Sequence, residues 1–332
     1  FRFPSKDGTT LYGEWFAAEK PVATCIVIHG YAEHCGRYRE VANVLVQQNI
    51  SVLTYDMRGH GKATGQRGHC EDYIEYLDDL KAAMNQARER VDPPTPFLLL
   101  GHSNGGLIAL RALCDPFRCP AGIKAAVISS PFLGLGLKVP LAKDAAGKIA
   151  GRVMPRLSLP SELAIDDLTH DQGKLAERRK DTLCHEVASA RWYTSALETH
   201  EYVHALAHRI TVPSLWVVAG ADKIADPAAA RRVHRRLRSP SRLHVFPEMY
   251  HEVFNESDRH EVFGDLIEFV NEVFKLLEIK KTRLKANTKI FQRKIDIDSY
   301  KADINLIKKK LRWKPKVKFN EIVFKMVNDI LF

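Results

Sequence analysis

Short apolar runs alternate along this chain with stretches of helical spacing. Ala23–Ile28, Ser51–Tyr55, Phe97–Leu100, Ala125–Ser130, Ser214–Gly220 and Arg242–Pro247 are apolar segments of strand length, closed by glycine, proline or polar turns. Between them, helical patterns run from about Arg37, from Leu107, over Pro227–Arg238, and from about Asp258 to Leu277. Continuous apolar strands alternating with helices predict an α/β fold, a mostly parallel sheet covered by helices on both faces. The rhythm breaks once, between Ser130 and Ser214. There the run Phe132–Leu141 is too apolar for an ordinary exposed loop, while Pro131, Lys138 and Pro140 argue against a membrane span.

The candidate chemistry sits where the third of these patterns turns. Phe97–Leu100 drives into Gly101-His102-Ser103-Asn104-Gly105-Gly106, and a helix follows from Leu107. This is G-x-S-x-G at a strand-to-helix joint, the context of a nucleophile elbow. Ser103 must sit on a sharp turn for its hydroxyl to clear the backbone, and Gly101 and Gly105 let strand and helix approach without Cβ clashes. Such a serine needs a base, a carboxylate and an oxyanion hole. Downstream, the strand from Ser214 empties into Asp222 and the strand from Arg242 into His251. Both then lie at the carboxyl ends of parallel strands, where open α/β sheets build their sites. Asp226 competes with Asp222, but it precedes Pro227 at a helix start, where an N-cap carboxylate is expected on structural grounds. Among 14 histidines, His244 falls inside a strand and reads as a packed ring. His200, His204 and His208 recur at helical spacing with no further ligand type, and read as a solvated face. The backbone N–H of Asn104 and that of Tyr31, in the loop that follows His29-Gly30, are the expected oxyanion donors.

With these residues in hand, the chain from Phe1 to about Leu277 resembles an α/β-hydrolase of the monoacylglycerol lipase and lysophospholipase group. The resemblance is carried by His29-Gly-Tyr-Ala-Glu-His34, Asp56-Met-Arg-Gly-His-Gly61, Gly65-Gln-Arg-Gly-His69, Gly101–Gly106, Ala221-Asp222 and Tyr250-His251. It implies Ser103 as nucleophile, Asp222 and His251 as its relay, Tyr31 and Asn104 as oxyanion donors, no cofactor and no metal. The residue after the serine is often Met in the group and is Asn here; its side chain is expected to border the pocket. The resemblance also implies that the insertion, about 132–205, is a cap over the site. With Lys143, Lys148, Arg152 and Arg156 beside its apolar run, the cap is expected to hold an acyl chain or make peripheral membrane contact. The expected reaction is hydrolysis of a small lipid ester through an acyl-enzyme. The alternatives are a general carboxylesterase or peptidase of the same fold, or a catalytically silent binding protein. A dehalogenase is disfavoured, because those enzymes carry Asp at the elbow. The Asp56–Gly61 stretch is explained by turn architecture.

Charge divides the chain. Residues 1–278 carry 34 Lys and Arg against 35 Asp and Glu, and residues 279–332 carry 16 against 5, so the formal +10 resides wholly in the tail. The end of that tail, Ala302 to Val327, resembles the C-terminus of a nucleotide-sugar dehydratase or epimerase, with Leu306 where that pattern has Lys. The chain has no matching glycine-rich first turn and no Tyr-x-x-x-Lys, so that chemistry is absent. Residues 278–332 therefore read as a basic, helical C-terminal fragment outside the hydrolase. A solvated helix pair is the expectation, and nucleic acid is not an expected partner. Six cysteines without metal-ligating spacing, and no targeting or membrane segment, read as free thiols in a cytoplasmic protein. The opening on Phe1 inside a strand pattern implies a few residues ahead of it. No feature of the sequence indicates an oligomeric state.

Overall fold

The computed structural model describes residues 1–136, 141–161 and 163–277. Its main sheet has eight strands: β1 (Arg2–Pro4), β2 (Thr10–Phe16), β3 (Ala23–Ile28), β4 (Ile50–Asp56), β5 (Phe97–His102), β6 (Ile123–Ser129), β9 (Ser214–Ala219) and β10 (Ser241–Phe246). They lie in the order β1-β2-β4-β3-β5-β6-β9-β10. The pairs β1–β2 and β2–β4 are antiparallel, and every pair from β4 to β10 is parallel. Strand β3 shows why the sequence reads as an unbroken apolar run. Cys25 and Val27 enter a core with helices α1 (Arg39–Gln47) and α8 (Arg259–Leu276), while Ile26 and Ile28 enter another with α2 (Ile74–Arg88) and α3 (Asn104–Leu113). Period-two side chains serve two apolar layers, so no face is polar.

Several helix ends differ from the sequence expectation. The first helix begins at Arg39, not Arg37, after a tight turn Cys35–Tyr38 whose start His34 caps by accepting the Gly36 N–H through Nδ1. Helix α3 begins directly at Asn104, because Ser103 itself makes the turn. Helix α7 (Pro227–His234) stops short of Arg238, with single turns at Arg236 and Leu237 leading to Pro240.

The insertion between β6 and β9 holds α4 (Leu141–Val153), an antiparallel pair of short strands, β7 (Ser158–Pro160) and β8 (Val187–Ser189), with α5 (Gln172–Lys180) between them in sequence, and α6 (Ala190–Leu206). The apolar run expected to belong to the cap begins in the body: Phe132 and Leu133 are buried in the hydrolase core, and residues 137–140 lie outside the described ones. The exposed apolar surface comes later, at Ile149 (63 % exposed), Val153 (69 %), Met154 (55 %) and Leu159 (48 %). No described helix is long and apolar enough to cross a membrane. All six cysteines are free thiols. The fragment 278–332 falls outside the described residues.

Candidate active site

Ser103 sits between the end of β5 and the start of α3 with φ 51° and ψ −116°, a conformation costly for any L-residue. Its backbone is pinned: its N–H donates to Ser129 O, and its carbonyl accepts from Leu107 and Phe132. The glycines beside it are sterically required. A Cβ on Gly101 would lie 2.4 Å from Gly105 O, and one on Gly105 would lie 2.0 Å from Ile28 O.

Asp222 follows β9 and His251 follows β10, and the two meet. Nδ1 of His251 lies 2.7 Å from Oδ2 of Asp222, with both side chains buried. Oδ1 of Asp222 accepts the N–H groups of Ile224 and Ala225 at 2.8 and 2.9 Å, which fixes the carboxylate plane. Burial alone would push the His251 imidazole down. The Asp222 charge and hydrogen bond, with Glu252 and Glu33 farther out, outweigh that and raise it above the ordinary histidine value. Asp226 is elsewhere: it caps α7 by accepting the Ala228 N–H and pairs with Arg232. His244, expected to be a packed ring, instead stands exposed on edge strand β10, paired with Asp265 and stacked on Phe246. His200 and His204 do not form a solvated face. His200 is buried edge-on against Phe132, and His204 meets Leu133 O, because α6 packs over the elbow helix. His208 lies beyond that helix, in the turn Ala207–Arg209.

Ser103 and His251 line one cavity together with Gly30 and Tyr31. Among the described residues, no protein acceptor takes the backbone N–H of Tyr31 or of Asn104. Asn104 is at the N-terminus of α3, whose first N–H groups have no partner within the helix and carry partial positive charge. Its side chain, expected to border the pocket, is fully buried instead. Oδ1 accepts the Tyr73 hydroxyl at 2.7 Å, which turns the amide toward α2.

The sequence carried little trace of the ion network beneath this cavity. Arg37 bonds Glu252 Oε2 at 2.6 Å and approaches Glu33 Oε2 at 3.5 Å; all three side chains are nearly inaccessible. Glu33 also accepts the Gly30 N–H and the Tyr38 hydroxyl. Burial raises its carboxyl, but Arg37, the neighbouring His102 and His29, and the Tyr38 bond prevail and hold it at about 2. The network ties the loop after β3 to the residue next to His251. His102, 4.8 Å from the His251 ring, is driven down to about 3 by burial and by His251, so it stays neutral. The only signals of this network were Glu33 inside the His29–His34 motif and Glu252 next to His251.

One group of side chains has the composition of a metal site. Donor atoms of His34, Asp181 and Cys184 all lie within 4.8 Å of one another. The hydrogen bonds argue against it. The Gly36 N–H occupies the lone pair of His34 Nδ1, so the proton of a neutral ring is on Nε2, the nitrogen 2.7 Å from Asp181. That contact is a hydrogen bond from body to cap, with no free imidazole lone pair to offer. A larger groove of ≈ 760 Å³, lined in part by Lys6, Lys81, Phe97 and Phe117, lies at the amino ends of β5 and β6 and contains none of the residues above.

Comparisons with known proteins agree with this architecture. Residues 19–258 match the family model described as serine aminopeptidase, S33. The chain is 34% identical over 248 residues to a phospholipase, YtpA, of Bacillus subtilis, covering 74% of this chain and 94% of that protein. It is 30% identical over 263 residues to a monoacylglycerol lipase of Mycolicibacterium smegmatis, covering 78% and 92%. The crystal structure of Paleococcus ferrophilus monoacylglycerol lipase superposes with a TM-score of 0.72 at 29% identity, over 79% of this chain and 99% of that one.

Proposed function

Because the chain belongs to the serine aminopeptidase, S33 family of α/β-hydrolases, we propose that it hydrolyses esters of single-chain lipids, monoacylglycerols or lysophospholipids, with Ser103 as nucleophile. One observation carries the reading: Ser103, on its strained elbow, shares a cavity with His251, and His251 is held at 2.7 Å by the buried Asp222. In this mechanism His251 Nε2 takes the hydroxyl proton as Ser103 attacks the ester carbonyl. The oxyanion faces the Tyr31 and Asn104 N–H groups, and the alcohol leaves with the proton from His251. Water, activated by the same imidazole, then releases the fatty acid.

The lipid substrate rests on the relatives named above and on the cap. The cavity measures ≈ 20 Å³, room for about one water, whereas sites for larger ligands hold at least ~300 Å³. Leu163, Leu168 and Arg178 of the insertion close it, so that segment must move to admit an acyl chain. The exposed Ile149, Val153, Met154 and Leu159, with the exposed Arg152 among them, suit a cap that opens against a lipid surface. An aminopeptidase reading needs a carboxylate free to bind an α-ammonium group. The two glutamates that line the cavity, Glu33 and Glu252, are already engaged by Arg37.

The test is a substrate panel on the full chain: esters of graded acyl length, a monoacylglycerol, a lysophospholipid and an aminoacyl anilide. The reading expects a long-chain lipid ester to exceed the anilide in kcat/KM by at least ~10²; preference for the anilide overturns it. Ile149→Asp with Val153→Asp is expected to lower turnover of vesicle-borne substrate and leave that of a short soluble ester unchanged.

A further inference from the structure

The loop that carries one oxyanion donor is fastened to the cap as well as to the body. Tyr31 stacks on Trp192 of α6, ring centroids 3.8 Å apart and planes 29° from parallel. Its hydroxyl reaches two carbonyls, Gly68 O on the body at 2.9 Å and Val187 O of β8, in the cap, at 3.0 Å. The space is shaped for that hydroxyl: Gly68 has φ +62°, and a Cβ there would lie 2.2 Å from the Tyr31 oxygen. The next residue is held the same way. Ala32, itself at φ 62°, has a carbonyl that accepts from the backbone N–H of His185 and from Arg178, both in the insertion. Tyr31 lines the cavity beside Ser103, and its N–H has no backbone acceptor among the described residues, while its side chain is clasped by the element that must move for substrate to enter.

We propose that the Tyr31 side chain is a positioning group through which cap closure sets the oxyanion hole. When β8 and α6 are seated, the stack on Trp192 and the bond to Val187 hold the peptide so that the Tyr31 N–H meets the developing oxyanion. When the cap lifts, the tether is released and the donor is no longer fixed. The hole is thus complete only over a substrate that lets the cap close, which couples acyl fit to kcat. Induced fit of this kind selects substrates through the transition state. The inference rests on the reading of Ser103 as nucleophile and of the Tyr31 N–H as a donor.

The experiment compares Tyr31→Phe and Trp192→Leu with the wild-type full chain. It measures kcat and KM on a medium-chain ester, the Ki of an alkyl trifluoromethyl ketone, and Tm. The ketone forms a tetrahedral adduct on serine: the Oγ–carbon bond forms, the hydroxyl proton passes to His251, and the carbonyl oxygen becomes an oxyanion. Loss of a whole oxyanion donor costs ~10²–10³ in kcat, so a loosened one is expected to cost about tenfold. The proposal expects each variant to lose about that factor in kcat with KM nearly unchanged, and the ketone Ki to rise by the same factor, while a lowered Tm still leaves the chain folded at the assay temperature. Combining the two substitutions should add little to either alone. Unchanged kcat and Ki in both folded variants, or a loss confined to KM, overturns the tether. Should Tyr31→Phe fail to fold, Trp192→Leu alone decides by the same two criteria. A wild-type chain that forms no ketone adduct would instead overturn the hydrolase reading, a separate outcome.

Discussion

Replacing Asp222 by asparagine tests the orientation of the base with almost no change of shape. In the native site Oδ1 accepts the N–H groups of Ile224 and Ala225, while Oδ2 faces Nδ1 of His251 at 2.7 Å. An asparagine keeps the first role only by putting its amide oxygen at the Oδ1 position. Its NH₂ group then lies against Nδ1, and two donors cannot face each other. The imidazole must carry its proton on Nε2 instead, the nitrogen that has to accept the Ser103 proton. A tautomer change of this kind costs ~10⁴ in kcat, or about 5.4 kcal/mol at 1.36 kcal/mol per decade. A second readout is the pH profile. Burial pushes His251 down, and Asp222 leads the groups that lift it above the ordinary value of ~6.5. The neutral ring is the active form, so wild-type kcat/KM should climb with pH along a limb centred above that value. Without the Asp222 charge, burial dominates, and the limb of the residual activity should move to lower pH. The assay is hydrolysis of a short chromogenic ester from pH 4 to 10, with circular dichroism to confirm the fold. A loss below tenfold in a folded variant, or a limb that moves upward, would refute the argument. Asp226→Asn is the control; it touches a helix cap and should leave kcat unchanged.

Three further outcomes follow from the same geometry. Arg37→Leu strands Glu33 and Glu252 without their cation, and breaking such a buried pair should cost ~3–5 kcal/mol in urea denaturation at pH 7. Glu33 is held at about 2 in the folded protein against ~4.3 unfolded. Its contribution is present above the unfolded value and lost as pH falls toward the folded one, so the gap between wild type and variant should narrow between those two values. Gly105→Ala would place a methyl 2.0 Å from one backbone carbonyl and 2.5 Å from the next; overpacking of ~3 kcal/mol or more should lower Tm by roughly 6–12 °C, and a Tm within error of wild type would contradict the close approach. Deleting residues 279–332 removes 16 Lys and Arg with 5 Asp and Glu; turnover of a short soluble ester should persist, and co-sedimentation with anionic vesicles should weaken most at low salt.

The strand-to-helix joint at Ser103 was legible because its signals are local: an apolar run, glycines two residues either side, then helical spacing. The parallel sheet was legible for a similar reason, since Cys25 and Val27 serve one core and Ile26 and Ile28 the other, leaving no polar face in the strand. Chain order pointed to Asp222 and His251. What could not be read was set by long-range packing. Arg37 and Glu252 lie 215 residues apart in sequence, yet share a hydrogen bond. His200 and His204 have the spacing of a solvated face, but α6 packs over α3 and buries one of them. Phe132 and Leu133 carry the apolarity of a lid and fill the core, while the exposed apolar surface falls on Ile149 to Leu159, at the end of α4, with Arg152 and Arg156 among the apolar residues. The dual hold on Tyr31 depends on Gly68, Val187 and Trp192, and no periodicity relates these positions.

Ser103 is tested as the nucleophile by labelling the full chain with a fluorophosphonate and locating the adduct by mass spectrometry, following ester hydrolysis in parallel. The account predicts one adduct per chain, on the peptide holding Ser103, with activity falling in step with its formation. Ser103→Ala, folded by circular dichroism, should take no label and lose ~10⁴–10⁶ in kcat. An adduct on another residue, or a folded, unlabelled Ser103→Ala chain that still hydrolyses the ester at the wild-type rate, would contradict it.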